Sequence, residues 1–248
     1  MLLHGWTATA ALNWLPALPE LGRRFRVIAL DQRGHGRGIR CRQFRLEDCA
    51  DDVIAAADVL GADRVIPVGY SMGGPVAQLT WQRHPDRVAG LVLCATSRNF
   101  RGSRRDQLAF MGLAGLGAAV QLVPSLIVRQ LVHAAAALPL PDARDFALSE
   151  VRGHDPLAVL GAARAIGRFS SRDWIADVDV PTAVVVTTHD RVVPQSRQRK
   201  LASSILNATI HEVAADHFAC LTDPDRFVPV LSDACESVAL RAGLARAA

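Results

Sequence analysis

The sequence predicts a single α/β domain: a mostly parallel, doubly wound sheet with helices on both faces and a helical insertion. Two observations carry that prediction. Short apolar runs alternate with helix-compatible stretches over most of the chain, the pattern of parallel strands joined by crossover helices. That rhythm stops between Thr96 and Pro156, where alanine, glycine and leucine dominate and strand-like runs are few. A length of 248 residues, 50% of them hydrophobic, can bury one full core and suits one domain with an insertion better than two independent ones.

Residues 12–20 read as the first helix, and 26–30 as a short buried strand ending at Asp31. The amphipathic stretch 46–60 carries Glu47 and Asp48 near its start, where the helix dipole favours negative charge. Residues 64–68 then supply a strand, 72–83 a helix and 89–94 a further strand. After the break, Arg152-Gly153-His154-Asp155-Pro156 reads as an exit turn whose proline opens a helix leading back to the core. A strand at 182–186, a helix at 196–204, a strand at 208–213 and a helix at 224–240 complete the series. The expected division is a core of 1–96 and 156–248, with a helical cap, or lid, over 97–155.

Gly69-Tyr70-Ser71-Met72-Gly73 stands between the strand at 64–68 and the helix that follows. A G-x-S-x-G pattern in that context is a nucleophile elbow. The tight turn lifts the serine into strained backbone angles, and small neighbours let other backbone pass close by. The first free N–H groups of the helix then face the place where an oxyanion would form. A serine hydroxyl is a poor nucleophile at neutral pH, so Ser71 needs a base, and the base needs an oriented carboxylate. His217, after the strand at 208–213, is the candidate base, and Asp190, just past the strand at 182–186, is the candidate acid. Cys94-Ala95-Thr96-Ser97, at the end of the preceding strand, offers no carboxylate. The backbone N–H groups of Trp6 and Met72 are the expected oxyanion donors, with His4 and Gly5 supporting the Trp6 loop and the indole also walling the pocket.

The pieces His4-Gly5-Trp6, Asp31-Gln32-Arg33-Gly34-His35-Gly36, Gly69 to Gly74, Asp190 with Val193-Pro194 behind it, and His217 occur in the order serine, acid, histidine. In these the chain resembles the α/β-hydrolase superfamily, specifically its cap-bearing branch of esterases, lipases, lactonases and cofactor-free perhydrolases. The resemblance implies a cofactor-free serine hydrolase, of carboxylesterase or lipase type, working through an acyl-enzyme on Ser71, His217 and Asp190. C–C hydrolases, lactonases, perhydrolases and acyltransferases share the elbow and stay open, as does a non-catalytic ligand-binding module. Epoxide hydrolases and haloalkane dehalogenases place an aspartate at the elbow, where this chain has Ser71. Relatives also carry two strands ahead of the His-Gly strand, whereas Met1-Leu2-Leu3 is all that precedes His4. A sheet without the usual first two strands, and a native chain with an upstream segment, are therefore expected.

Composition narrows the partners. The net charge of +4 is almost all arginine, since Lys200 is the only lysine, and Arg101, Arg104 and Arg105 form the one local cluster, which reads as a solvated loop. Phosphate cradles, aromatic-basic interleaving and zinc-like cysteine spacing are absent from the sequence, so no nucleic acid, cofactor or metal is expected. The cysteines, Cys41, Cys49, Cys94, Cys220 and Cys235, are odd in number and scattered, which favours reduced thiols and a cytoplasmic setting. Residues 108–128 are almost uniformly apolar, but Pro124 and three glycines favour two short cap helices over a membrane span. Such a cap implies a small hydrophobic ester as substrate and permits transient contact with a membrane surface. Asp31 is expected to accept backbone N–H bonds, His35 to serve structure, and Asp216 to be a surface acid. His189 cannot share a site with its neighbour Asp190, and His84, His133, His154 and His211 have no partner at a telling spacing.

Overall fold

The computed structural model describes residues 1–100 and 142–244. Six parallel strands form one sheet: β1 (Leu2–Leu3), β2 (Ala29–Leu30), β3 (Val68–Tyr70), β4 (Leu91–Cys94), β5 (Thr182–Thr187) and β6 (Thr209–Val213). Their order is β2-β1-β3-β4-β5-β6, with Leu3 paired to Leu30 on one side and Gly69 on the other, Tyr70 to Cys94, and Val185 to His211. The order reverses at β1, so the crevice beyond the carboxyl ends of β1 and β3 is the switch point where ligands bind in open α/β sheets.

The central strands are apolar at nearly every position because both faces are covered, whereas the edge strand β6 carries His211 and Glu212. On β5, Ala183 and Val185 pack into one core, while Val184 and Val186 pack into the other. The first core is closed by α1 (Ala10–Trp14) and α9 (Pro224–Arg241), through Leu12, Trp14, Phe227 and Leu231. The second is closed by α3 (Leu46–Val59), α4 (Gly73–Arg83) and α7 (Gln195–Ala202), through Val53, Val76 and Leu201. Short helices α2 (Leu18–Leu21) and α8 (Ala219–Thr222), with α5 (Ala143–Arg152) and α6 (Pro156–Arg168), complete the described elements.

Three departures from the sequence reading have local causes. The helix expected over 12–20 is broken into α1, a 3₁₀ turn at Leu15–Ala17 and α2, because Pro16 and Pro19 each remove a helical donor. The strand expected over 64–68 is shifted to Val68–Tyr70, past Pro67, which has no N–H for the ladder, with Val65 left as an isolated bridge to Val88. Only Ala29–Leu30 of the stretch 26–30 pairs with β1, although Leu2 N–H still donates to Ile28 at 2.7 Å. The expected cap lies largely outside the described residues, including the apolar stretch 108–128, Arg101, Arg104, Arg105 and His133. Among the described residues no helix is long and apolar enough to cross a membrane.

Candidate active site

Ser71 sits between β3 and α4 with φ of +50°, a left-handed conformation unusual for a residue with a side chain. The elbow closes only because its neighbours lack side chains. A Cβ at Gly69 would stand 2.2 Å from the Gly73 carbonyl oxygen, and one at Gly73 would stand 2.1 Å from that of Leu3. Ser71 N–H donates to the Cys94 carbonyl at 2.9 Å, and the Thr96 hydroxyl donates to the Ser71 carbonyl at 2.8 Å. The serine is thus pinned to β4 while its side chain stays free to turn outward.

His217 precedes α8 and Asp190 follows β5. The fold brings them to Ser71 from 146 and 119 positions away in the chain, respectively. Ser71 Oγ lies 3.0 Å from His217 Nε2, and His217 Nδ1 lies 2.7 Å from Asp190 Oδ2. The Asp190 and His217 side chains are buried, whereas Ser71 is half-buried. The imidazole position is further fixed by its own backbone: Tyr70 donates its hydroxyl to the His217 carbonyl at 2.8 Å, while its ring packs edge-on against Trp14 and Phe227. Exposed Asp216 accepts Phe218 N–H at 2.8 Å and His189 is exposed, so neither competes with Asp190.

The Asp190 carboxylate is surrounded by donors. Oδ1 accepts the N–H groups of Val192 and Val193, both at 2.8 Å. Oδ2 accepts from the Thr187 hydroxyl at 2.8 Å and from Gln198 Nε2 at 3.1 Å, besides facing His217.

Beyond β1, His4-Gly5-Trp6-Thr7 forms a turn opposite Ser71. Gln32 N–H donates to His4 Nε2 at 2.9 Å, so that nitrogen is an acceptor and Nδ1, 2.8 Å from the Gly5 carbonyl, must carry the proton. Gly5 N–H donates to Asn13 Oδ1 at 2.9 Å. The Trp6 indole N–H donates to the Val159 carbonyl on α6 at 2.8 Å, which makes the ring a fixed wall. The backbone N–H groups of Trp6 and Met72 meet no protein acceptor among the described residues. A small cavity of about 40 Å³ lies between Trp6, Asn13, Ser71, His217 and Phe218. A larger apolar hollow of about 230 Å³, lined by Met1, Phe25, Ile28 and Val65, brings no nucleophile and base together.

Asp31 accepts the N–H groups of Ala10 at 2.7 Å and Arg37 at 2.8 Å, as a loop-fixing acid should. His35 is buried between His4 and His154, with ring centroids 5.3 and 5.2 Å away. Burial pulls His4 down to about 4 and His35 to about 3, and also lowers His154, so all three rings are neutral. His154, which has no telling neighbour in the sequence, accepts Gly36 N–H on Nδ1 and donates from Nε2 to Thr7, both at 2.9 Å. His84 likewise has a distant partner, Asp51, at 2.8 Å. Asn13, Thr187 and Gln198 also escaped the sequence reading, because an isolated amide or hydroxyl carries no spacing signal. No cluster of metal-ligating side chains occurs among the described residues.

A family model described as the α/β-hydrolase fold matches residues 1–118. Over 255 aligned residues the chain is 29% identical to a pimeloyl-[acyl-carrier protein] methyl ester esterase of Chromobacterium violaceum, covering 96% of this chain and 94% of that one. It is 31% identical to a candidate carbamate hydrolase, RutD, of Variovorax paradoxus, covering 85% and 81%. Among solved structures, the enol-lactonase of Burkholderia xenovorans superposes with a TM-score of 0.80 at 23% identity, covering 95% of this chain and 90% of that one, a likeness of fold.

Proposed function

The chain belongs to the α/β-hydrolase fold family, and from its site we propose that it is a serine hydrolase cleaving carboxylic esters that carry a hydrophobic acyl or alkyl group. The observation that carries this reading is the hydrogen-bonded line from Ser71 through His217 to Asp190. Ser71 Oγ attacks the acyl carbon while His217 Nε2 takes its proton. Asp190 holds the Nδ1 proton and offsets the positive charge that develops on the ring. The carbonyl electrons move to oxygen, where the N–H groups of Trp6 and Met72 receive the oxyanion. Collapse expels the alcohol, protonated by His217, and leaves an acyl-serine. Water, deprotonated by the same ring, then adds to the acyl carbon, releases the carboxylic acid and restores Ser71.

The pimeloyl methyl ester esterase among the relatives supports ester chemistry, and the apolar sequence of the expected cap supports a hydrophobic substrate. The unpaired thiols suit a reducing, cytoplasmic compartment. The 31% identity to a candidate carbamate hydrolase supports a second reading, in which the same attack falls on a carbamoyl carbon. The test pairs a fluorophosphonate probe with substrate panels. Labelling confined to Ser71, with turnover of p-nitrophenyl esters well above that of a carbamate, supports the esterase. Carbamate turnover in excess supports the second reading, and absence of labelling rejects both.

A further inference from the structure

The acid of the triad is held by side chains whose hydrogen-bond directions are all forced. Gln198, on α7, is fully buried, and its Oε1 accepts Thr187 N–H at 3.0 Å, which fixes the amide orientation. Its Nε2 therefore points the other way, donating to the Val193 carbonyl at 2.7 Å and to Thr187 Oγ1 at 2.9 Å, with Asp190 Oδ2 at 3.1 Å. Because the Thr187 oxygen accepts from Gln198, its single proton goes to Asp190 Oδ2, 2.8 Å away. The result is a polarised chain, Gln198 to Thr187 to Asp190, ending on the same oxygen that faces His217 Nδ1. The Thr187 hydroxyl and the His217 ring converge on Oδ2, with the Gln198 amide 3.1 Å away, while two backbone N–H groups hold the other oxygen.

We propose that Thr187 and Gln198 are positioning residues for the triad, which act through Asp190 by sharing the charge on Oδ2 and so set how firmly the His217 ring holds its catalytic proton. The proposal rests on the triad reading given above. Besides the two backbone N–H groups on Oδ1, Thr187 donates to the oxygen that faces His217 and Gln198 polarises that hydroxyl, so both draw electron density away from the hydrogen bond to His217. The ring then releases its proton more readily, which favours delivery to the leaving alcohol and keeps the base free at lower pH. The other ionisable groups packed here are Tyr70 and the Cys220 thiol, with buried Cys94 behind Tyr70 and with Asp216 and His189 exposed beside them. Burial drives the phenol well above its usual range and the thiol up to about 12, so neither takes up this charge near neutrality.

The test compares the wild-type chain with Thr187→Val, Thr187→Ser and Gln198→Met, following the rate of fluorophosphonate labelling of Ser71 by intact mass between about pH 5 and pH 9. Loss of a donor leaves more charge facing His217, so the midpoint of the acid limb should rise by about half a pH unit in Thr187→Val and Gln198→Met. Thr187→Ser keeps the hydroxyl and should restore the wild-type midpoint. Thr187→Val keeps side-chain shape and the Thr187 N–H bond, so it decides the matter alone if Gln198→Met does not fold. Labelling with unshifted midpoints, or a serine variant that behaves like valine, would overturn the proposal while leaving the triad intact. A wild-type chain that does not label at all would remove the triad reading and this proposal together.

Discussion

Lowering the pH from 7 to 5 should cost this protein about 4 kcal/mol of stability through two buried histidines. His4 and His35 have every ring environment suited to the neutral form. On His4, Nε2 receives Gln32 N–H, so a second proton would set two donors against each other. On His35, Nδ1 faces the Arg33 carbonyl at 2.9 Å, and buried Nε2 has no partner to receive a proton's charge. Burial places their folded-state values at about 4 and about 3, against about 6.5 in an unfolded chain. Below about pH 6.5 the unfolded chain therefore binds protons that the folded chain refuses, and stability falls as pH falls. At pH 5, 1.5 units below 6.5, each ring contributes about 2 kcal/mol of this loss, at 1.36 kcal/mol per unit. His154 adds in the same direction, since burial lowers it as well. The loss levels off only when the folded rings themselves titrate, near pH 4 and pH 3.

Such a loss is a large share of the stability of an ordinary domain, about 5–15 kcal/mol. The assay is urea unfolding at pH 7 and pH 5, on the wild-type chain and on His35→Leu. Leucine removes the unpartnered Nε2 and faces Phe44, whose ring centroid lies 6.0 Å from that of His35. The variant should lose about 2 kcal/mol of the pH dependence in this window, the share of one ring, whatever its stability at pH 7. Asp51, held down by its hydrogen bond with Arg83, loses its contribution only below the ordinary aspartate range, so it does not confuse the reading. A wild-type chain equally stable at both pH values, or a variant with the full wild-type slope, would refute the reasoning.

Ser71→Ala should lower kcat by on the order of 10⁴ to 10⁶ fold with the thermal midpoint little changed; esterase activity within tenfold of wild type would remove the serine from the mechanism. Asp190→Asn should cost on the order of 10² to 10⁴ fold in kcat and Asp216→Asn far less, and the reverse ranking, read by steady-state kinetics, would move the catalytic acid. Gly73→Ala pushes a Cβ to 2.1 Å from the Leu3 carbonyl oxygen and should destabilise the fold by at least about 2 kcal/mol in urea unfolding, so a neutral effect would contradict the packing of the elbow on β1. Across p-nitrophenyl esters, kcat/KM should rise with acyl length, each buried methylene adding up to about 0.8 kcal/mol, and a flat profile would point to a small polar substrate.

The parts of this molecule that a reader of the sequence could find are those in which function imposes a local pattern. The elbow is local: Gly69, Ser71, Gly73 and Gly74 lie within six residues, and the steric reasons for each glycine act between near neighbours and the ends of the two adjacent strands, at Leu3 and Thr96. Strands β4 and β5 are legible for the same reason, since burial on both faces writes a nearly unbroken apolar run. Sequence and structure part where a single proline outweighs a favourable pattern, as at Pro16, Pro19 and Pro67. The candidate residues Ser71, His217 and Asp190 are legible because each lies past a strand end, a place that open α/β sheets give to ligands.

What the sequence hides is the polar support, because it is assembled across the chain from residues with many ordinary uses. Glu150 accepts the Thr9 hydroxyl at 2.6 Å, His154 donates to Thr7, and Val159 receives the Trp6 indole, so three residues within 150–159 clamp the turn that follows β1 and the start of α1. Nothing in Glu150, His154 or Val159 marks them for that task at the level of pattern. Their common feature is only that the fold returns the chain there, directly against the turn that follows β1. The candidate site residues are thus legible one by one, whereas the contacts that hold them in place exist only once the chain has folded.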